Sequence, residues 1–355
     1  MKWAKENLFS SWASGILTVA LGLVLAKLAL SFFDWAVVDA IWRADPKACR
    51  AAHGACWGLI AEKHRFILFG TYPYDEQWRP ALAASILVFL WAVSLFRRNW
   101  RPALAWYWAS GLAAIGTLMW GGVLGLPYVD DGHWGGLVLT LLLATFGIGF
   151  AFPLAVLLAL GRRSNMNAIQ ALCVAYIELI RGVPLISLLF MASVMVPLFL
   201  PAGVSIDKLL RAEIALILFA AAYLAEVVRG GLQAVPKAQY EMADALGFGL
   251  VQKYAYVVLP QALRIAVPPL VNTFIGLFKD TSLVAIIGVF DLLSAVKTAL
   301  GEPAWSGFGV EAYLFAAFVY FVFCFSMSRY SRRLEVRSSG SSRPSSAQDW
   351  RSAPS

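Results

Sequence analysis

Charge is scarce in this sequence. Aspartate, glutamate, lysine and arginine make up 14% of the 355 residues and apolar residues 60%, where a soluble domain has about a quarter charged and half apolar. A freely soluble fold is excluded and a bilayer is the expected solvent. Histidine is rarer still. His53, His64 and His133 all fall between the apolar runs, in segments expected to be external, and the apolar stretches show no paired-acid or metal-ligand spacing, which argues against an integral membrane enzyme. No G-x-x-x-x-G-K-[ST] phosphate loop is present, so ATP chemistry would belong to another polypeptide. Four cysteines are too few for a disulfide scaffold. Cys173 and Cys324 lie in apolar segments as small apolar residues. Cys49 and Cys56 flank His53 in "CRAAHGAC", where an oxidising compartment permits a disulfide, and two cysteines with one histidine fall one ligand short of a closed zinc site. A disulfide or plain structural thiols are preferred to a metal.

Long apolar runs are plentiful. A spanning helix needs roughly 20 apolar residues, and eight runs qualify, at about 12–33, 80–97, 102–123, 135–160, 182–200, 212–232, 264–290 and 310–328. The fold class expected is all-α and integral to the membrane, with eight transmembrane helices. Basic residues mark one side of these runs: Lys2 and Lys5; Arg97, Arg98 and Arg101; Arg162 and Arg163; Arg229, Lys237, Lys253 and Arg264; Arg329, Arg332, Arg333 and Arg337. Short loops rich in lysine and arginine stay in the cytoplasm, so both termini are expected there. The net charge of +8 then reflects topology and not a nucleic-acid surface. The first run could be taken for a signal peptide, but it continues past "LAKLALSFF", longer than a signal core, and a retained span is preferred.

Two blocks and a tail follow. Residues 1–131 form a three-span extension with an external segment at 34–79, residues 135–334 a five-span core, and residues 335–355 a serine- and proline-rich tail with little to bury. Inside the core, "YIELIRGVP" and "YLAEVVRGG" repeat an acid and an arginine three apart, Glu178 with Arg181 and Glu226 with Arg229. Residues so spaced share a helical face. Local pairing that makes charge tolerable at the membrane is one reading, and braces of an inner gate the other.

The stretch "QYEMADALGFGLVQKYAYVVLP" is too polar for lipid and too patterned for a plain loop. Pro236 fits a helix start and Gly247 a helix end. A helix of about 11 residues would cover about 16 Å, too short to span. Tyr240, Ala243 and Leu246 share one face, and Glu241 and Asp244 another. An amphipathic helix lying on lipid usually has a basic polar face. This one leads with two acids, so a protein groove suits it better, and a second short segment is expected to stop at Leu259-Pro260. Glu241-Met242-Ala243, three residues, Gly247, nine residues, Val257, one residue and Leu259-Pro260 resemble the EAA signature of ABC importer permeases. Met242 stands for the usual alanine and Val257 for the usual isoleucine. The resemblance implies that the hairpin, and within it Glu241, Ala243, Asp244, Gly247, Leu259 and Pro260, docks on and couples to a cytoplasmic ATPase.

The remaining core agrees with that family. "YIELIRGVPLI", "AAYLAEVVRGGLQAV" and "LFKDTSLVAIIGV" look like stretches of polar amino acid importer permeases. The three extra spans, with "GACWGLI" and "YPYDEQWRP", look like permeases for general L-amino acid uptake. The resemblance implies a bacterial inner membrane, a cytoplasmic ATPase dimer that binds the ATP, a second homologous permease subunit or a second copy, and a periplasmic amino-acid-binding protein. It implies no cofactor on this chain.

A substrate path is expected at Asn272, Lys279, Asp280, Thr281 and Ser282. About 15 helical residues separate Lys279 from Arg264, or roughly 22 Å, beyond the midplane, and Pro268 and Pro269 predict a kink below it. An ammonium, a carboxylate and two hydroxyls suit an amino acid. Equally, the span could end near Phe278 and these residues turn in water. Two rival functions stand beside the importer: an ion-gradient secondary transporter relaying through Lys279, Asp280 and Glu226, and a non-transporting assembly factor.

Overall fold

The computed structural model describes residues 6–99, 101–201 and 203–339. Lys2, Lys5 and residues 340–355 lie outside the described residues, as do the side chains of Arg97, Arg333 and Arg337. Among the described residues the chain is helical and contains no strand. Five helices are long and apolar enough to cross a membrane: Trp12–Val38, Gly136–Gly161, Lys208–Ala234, Leu250–Ile287 and Gly309–Arg332. A sixth crossing arises if the bent pair Asn167–Arg181 and Leu185–Leu198 is counted as one.

The chain divides into two compact units. One takes residues up to Arg65 together with Val296–Ala316. Its first helix, α1 (Trp12–Phe33), buries no side chain, the state expected of a span whose solvent is lipid. Then come α2 (Pro46–Ala51) and α3 (Gly58–Phe69), which runs to the border of the unit. Asp45 caps α2, its carboxylate accepting from the Lys47 and Ala48 amides at 3.0 and 3.2 Å.

The other unit takes Phe66–Ala295 and the chain from Ala317. It includes α4 (Trp78–Ser94) and α5 (Ala103–Trp120), so the second and third predicted spans fall in the same unit as the core. Its centre is α6 (Gly136–Gly161) against α9 (Lys208–Ala234). In α6 the buried residues Gly147, Ala151, Ala155 and Ala159 recur every fourth position, a stripe of small side chains that lets backbones approach where lipid gives no hydrophobic drive. Between them come α7 (Asn167–Arg181) and α8 (Leu185–Phe190, prolonged to Leu198), bent by 101° at Gly182–Pro184. The elbow falls at Pro184, which removes the amide a continuous helix would need.

After α9 come α10 (Lys237–Ala245) and a continuous helical run, Leu250–Ile287. The run holds a wide, π-helical turn at Lys253–Val258, then α11 (Leu259–Asp280) and a tighter turn at Thr281–Ile287. It does not stop at Leu259-Pro260. Pro260 falls in the first turn after the wide one, where the regular amide ladder is already interrupted. The helix also continues through Pro268 and Pro269. A Cβ on Gly231 of α9 would stand 2.5 Å from the Ala262 carbonyl, so this glycine permits the close approach of α9 and α11. Two further helices follow among the described residues, α12 (Leu292–Leu300) and α13 (Gly309–Ser339), the latter reaching past residue 335.

Candidate docking hairpin and membrane path

The hairpin begins at Pro236, which caps α10 from just outside it, one position earlier than the expected first turn, and the helix has nine residues, not 11. It closes in a Schellman motif. The Phe248 amide donates to the Ala243 carbonyl at 3.1 Å, the Gly247 amide donates to the Asp244 carbonyl at 3.0 Å, and Gly247 takes φ +76°. Ala243 is buried and Tyr240 half-buried, as their shared face requires, but Leu246 is 73% exposed because the helix ends before its face returns to the protein. Asp244 accepts from Lys253 on the returning run at 2.6 Å, and Gln261 donates to Gln239 at 3.1 Å. Glu241, Met242 and Leu246 are left on the exposed side, joined by Leu250 and Val251 beyond the turn. An acid set among exposed apolar side chains is unsuited to water alone and suited to a groove.

The hairpin is anchored by aromatic and cationic groups. Arg163 Nη1 donates to the Leu232 carbonyl and to the Tyr240 hydroxyl, both at 3.0 Å, and the Tyr240 hydroxyl donates to the same carbonyl at 2.8 Å. Two tyrosine rings of the hairpin, Tyr240 and Tyr254, meet edge to face with centroids 6.3 Å apart.

One step back along the chain, Arg162 organises a second cluster. Its guanidinium reaches Glu226 at 2.6 Å and Glu178 at 3.0 Å, while Arg229 lies 2.9 Å and Arg181 3.8 Å from Glu226. The repeat therefore does not act as two separate pairs. Glu226 and Arg229 pair within α9, but Glu178 is met by Arg162 and Arg181 turns to Glu226, with its guanidinium 5.5 Å from the centre of the Tyr223 ring. Glu226 is the shared acceptor that links α6, α7 and α9.

The five residues of the expected path lie along one helix and its tighter end. Asn272 and Lys279 are exposed, Asp280 is half-buried and Thr281 is buried. Lys279 and Asp280 close α11, and the break that follows begins at Thr281. The hydroxyls of Thr281 and Ser282 donate backward to the carbonyls of Phe278 and Lys279, at 2.7 and 2.8 Å. Those protons serve the helix end. Thr281 lines a small void with Gly147, Leu216 and Leu277. Gly147 stands 11 positions into α6, about 17 Å at 1.5 Å per residue, which puts this level near the middle of the span. At the same level is a residue the sequence reading passed over, Glu213. Its carboxylate faces Gly147 and has no hydrogen-bond partner among the described residues.

Comparison with known proteins fixes the family. Residues 147–339 match the family described as binding-protein-dependent transport system inner membrane component. The chain belongs to this family. An Escherichia coli relative, the inner membrane amino-acid ABC transporter permease protein YhdY, is 48% identical over 342 residues, covering 95% of this chain and 92% of that protein. The glutamate/glutamine/aspartate/asparagine transport system permease protein BztC of Rhodobacter capsulatus is 37% identical over 403 residues, covering 94% and 93%. Among solved structures, the crystal structure of an amino acid ABC transporter with histidines aligns with TM-score 0.51 and 31% identity, over 57% of this chain and 92% of that one. The match supports an ATP-driven permease and not the ion-gradient alternative. Members are multi-pass components of the bacterial inner membrane that work with ATPase and binding-protein partners.

The permease also has a part, expected from the sequence to be external, that is held by its own covalent and ionic links. Cys49 and Cys56 are joined in a disulfide. The Cys56 amide donates to Glu311 Oε1 at 3.0 Å, and Arg50 donates to the Pro303 carbonyl at 2.6 Å. Lys63 sits between Glu62 at 3.2 Å and Glu302 at 2.6 Å. Its burial alone would lower its pKa, but the hydrogen bonds to Glu302 and Glu62 outweigh that and raise it.

Proposed function

We propose that the chain is the membrane permease subunit of an ATP-driven importer of L-amino acids. It forms the translocation path and takes its drive from a cytoplasmic ATPase dimer through the hairpin at 236–260. The observation that carries this reading is the hairpin itself: a short capped helix with Ala243 buried against the protein and Glu241, Met242 and Leu246 offered outward. Glu241, Ala243, Asp244, Gly247, Leu259 and Pro260 shape and present it. The chain carries no phosphate loop, so ATP binds and is hydrolysed in the partner, and this subunit is a conduit and not an enzyme.

Eight spans serve the conduit, with both termini cytoplasmic, and α4 and α5 supply the second and third. At 17 and 18 residues they are about 26 Å long, enough for most of a hydrocarbon core of roughly 30 Å. The five-span core pairs with a second homologous permease or a second copy, and a periplasmic amino-acid-binding protein delivers solute from outside. The amino-acid assignment rests on the likeness to the amino-acid permeases named above. Glu178, Arg181, Glu226 and Arg229, tied together by Arg162, brace the inner gate, and Asn272, Lys279, Asp280, Thr281 and Ser282 line the path.

Purification of the chain from native membranes, with its associated proteins identified, tests the reading. The wild type brings down an ATPase, and Leu246→Asp, which places a charge on the outward face without touching the core, loses it. Retention of the ATPase by Leu246→Asp would sink the docking assignment.

A further inference from the structure

The hairpin is continuous in the chain with α9 on one side and α11 on the other, but α6 has no such covalent link. We propose that Arg163 and Tyr240 form the latch that makes α6 follow the docking helix, with Arg163 as a positioning residue of the transport cycle. The proposal rests on the docking reading above.

Four observations converge on these two side chains. The Leu232 carbonyl is among the last four of α9, which have no partner within their helix. It accepts from both Arg163 at 3.0 Å and the Tyr240 hydroxyl at 2.8 Å, so both lone pairs are used. A cation at this end also meets the negative pole of the helix. Arg163 lies 5.4 Å from the centre of the Tyr240 ring while donating to its hydroxyl, so the same ring is held on its face and at its tip. Tyr240 then touches Tyr254 on the returning run, so one side chain meets the end of α9, the second residue after α6 and the return of the hairpin.

The neighbouring arginine gives this latch its reach. Consecutive helical residues point about 100° apart. Arg162 is directed to Glu178 and Glu226 on α7 and α9 while Arg163 is directed to the hairpin. One peptide unit therefore joins the docking helix to the charged cluster at the elbow. A displacement of α10 pulls on Arg163, and the adjacent Arg162 passes it to Glu226.

The test uses the complete transporter in liposomes, with liganded binding protein inside or outside as orientation requires, for the wild type, Arg163→Lys, Arg163→Gln and Tyr240→Phe. ATPase content of each complex, ATP hydrolysis and uptake are measured on the same preparation. All four are expected to hold the ATPase. In Arg163→Gln and Tyr240→Phe, uptake per ATP hydrolysed falls about five-fold, the low end of ordinary coupling effects. Arg163→Lys stays near the wild type, because both bonds come from a single nitrogen that an ammonium can replace. Tyr240→Phe keeps the ring contacts and removes only the hydroxyl, which guards against a trivial folding failure. An unchanged ratio of uptake to hydrolysis in the Gln and Phe variants would overturn the latch. So would loss of the ATPase from those variants alone, which would make the pair a docking element. A wild type that binds no ATPase would instead remove the docking reading beneath it.

Discussion

Gly247 allows conformational and steric effects to be separated. It closes α10 at φ +76°, and a Cβ built there meets nothing within 4 Å. Size alone therefore costs nothing, and the whole penalty of a side chain is backbone strain. A non-glycine residue in this left-handed region costs roughly 1–2 kcal/mol, and asparagine visits it more readily than alanine. Strain in the closed hairpin appears as a reduced fraction in the docking-competent shape and, at most, a proportionately weaker apparent affinity. Gly247→Ala should weaken binding of the purified ATPase to the permease by up to about 5- to 30-fold, and Gly247→Asn by less, although asparagine is larger. The melting temperature of the spans should hardly move, since the strain lies outside their core. Binding by titration in detergent, with thermal melts alongside, gives both numbers. An Asn variant weaker than the Ala variant, or an Ala variant equal to wild type, would refute the conformational argument.

Glu226→Gln should destabilise the permease by about 2 kcal/mol, because three arginines lose their shared acceptor in a half-buried setting; Glu178→Gln, whose carboxylate side chain is 57% exposed, should cost under about 1 kcal/mol, and thermal melts will rank them. Replacing Cys49 and Cys56 together by serine opens a bridge spanning seven positions and should cost about 2.5 kcal/mol of local stability by loop entropy, seen as faster protease cleavage in the external segment. Burial, with Asp207 and Asp130 nearby, raises the Asp131 carboxyl above its usual value. The folded state then favours the protonated form, so the stabilising contribution is complete below the unfolded value of 3.8 and is lost as pH rises through the folded one. Asp131→Asn should therefore gain in melting temperature relative to wild type as pH rises from about 3 to 7, and a constant difference across that range would contradict it.

The hairpin was legible in the sequence because its signals are local. A proline before the helix, a glycine after it and acids on one face are read within a dozen residues, and the capped helix and left-handed Gly247 follow from them. The elbow at Gly182–Pro184 rests on an equally local feature, the missing amide of Pro184. What was not legible depends on partners far along the chain. Arg162 and Arg163 read as topology markers, since nothing local reveals that one meets an acid 64 positions away and the other a tyrosine 77 away. The repeat suggested pairs three apart, but a carboxylate with several arginines in reach takes the best geometry and not the nearest in sequence. Pro260 read as a stop because the wide turn before it, which makes room for a missing amide, leaves no simple sequence mark. Glu213 drew no reading from the sequence, and that its carboxylate has no hydrogen-bond partner among the described residues is visible only in three dimensions.

The central claim is that solute movement through this chain is driven by ATP through the hairpin. Uptake of labelled amino acids into proteoliposomes holding the permease, its ATPase and its binding protein, with ion gradients collapsed by ionophores, tests it most directly. The account predicts uptake that needs ATP on the hairpin side, persists without gradients and is lost in Leu246→Asp. Uptake that continues without ATP and disappears when the gradients are collapsed would contradict it.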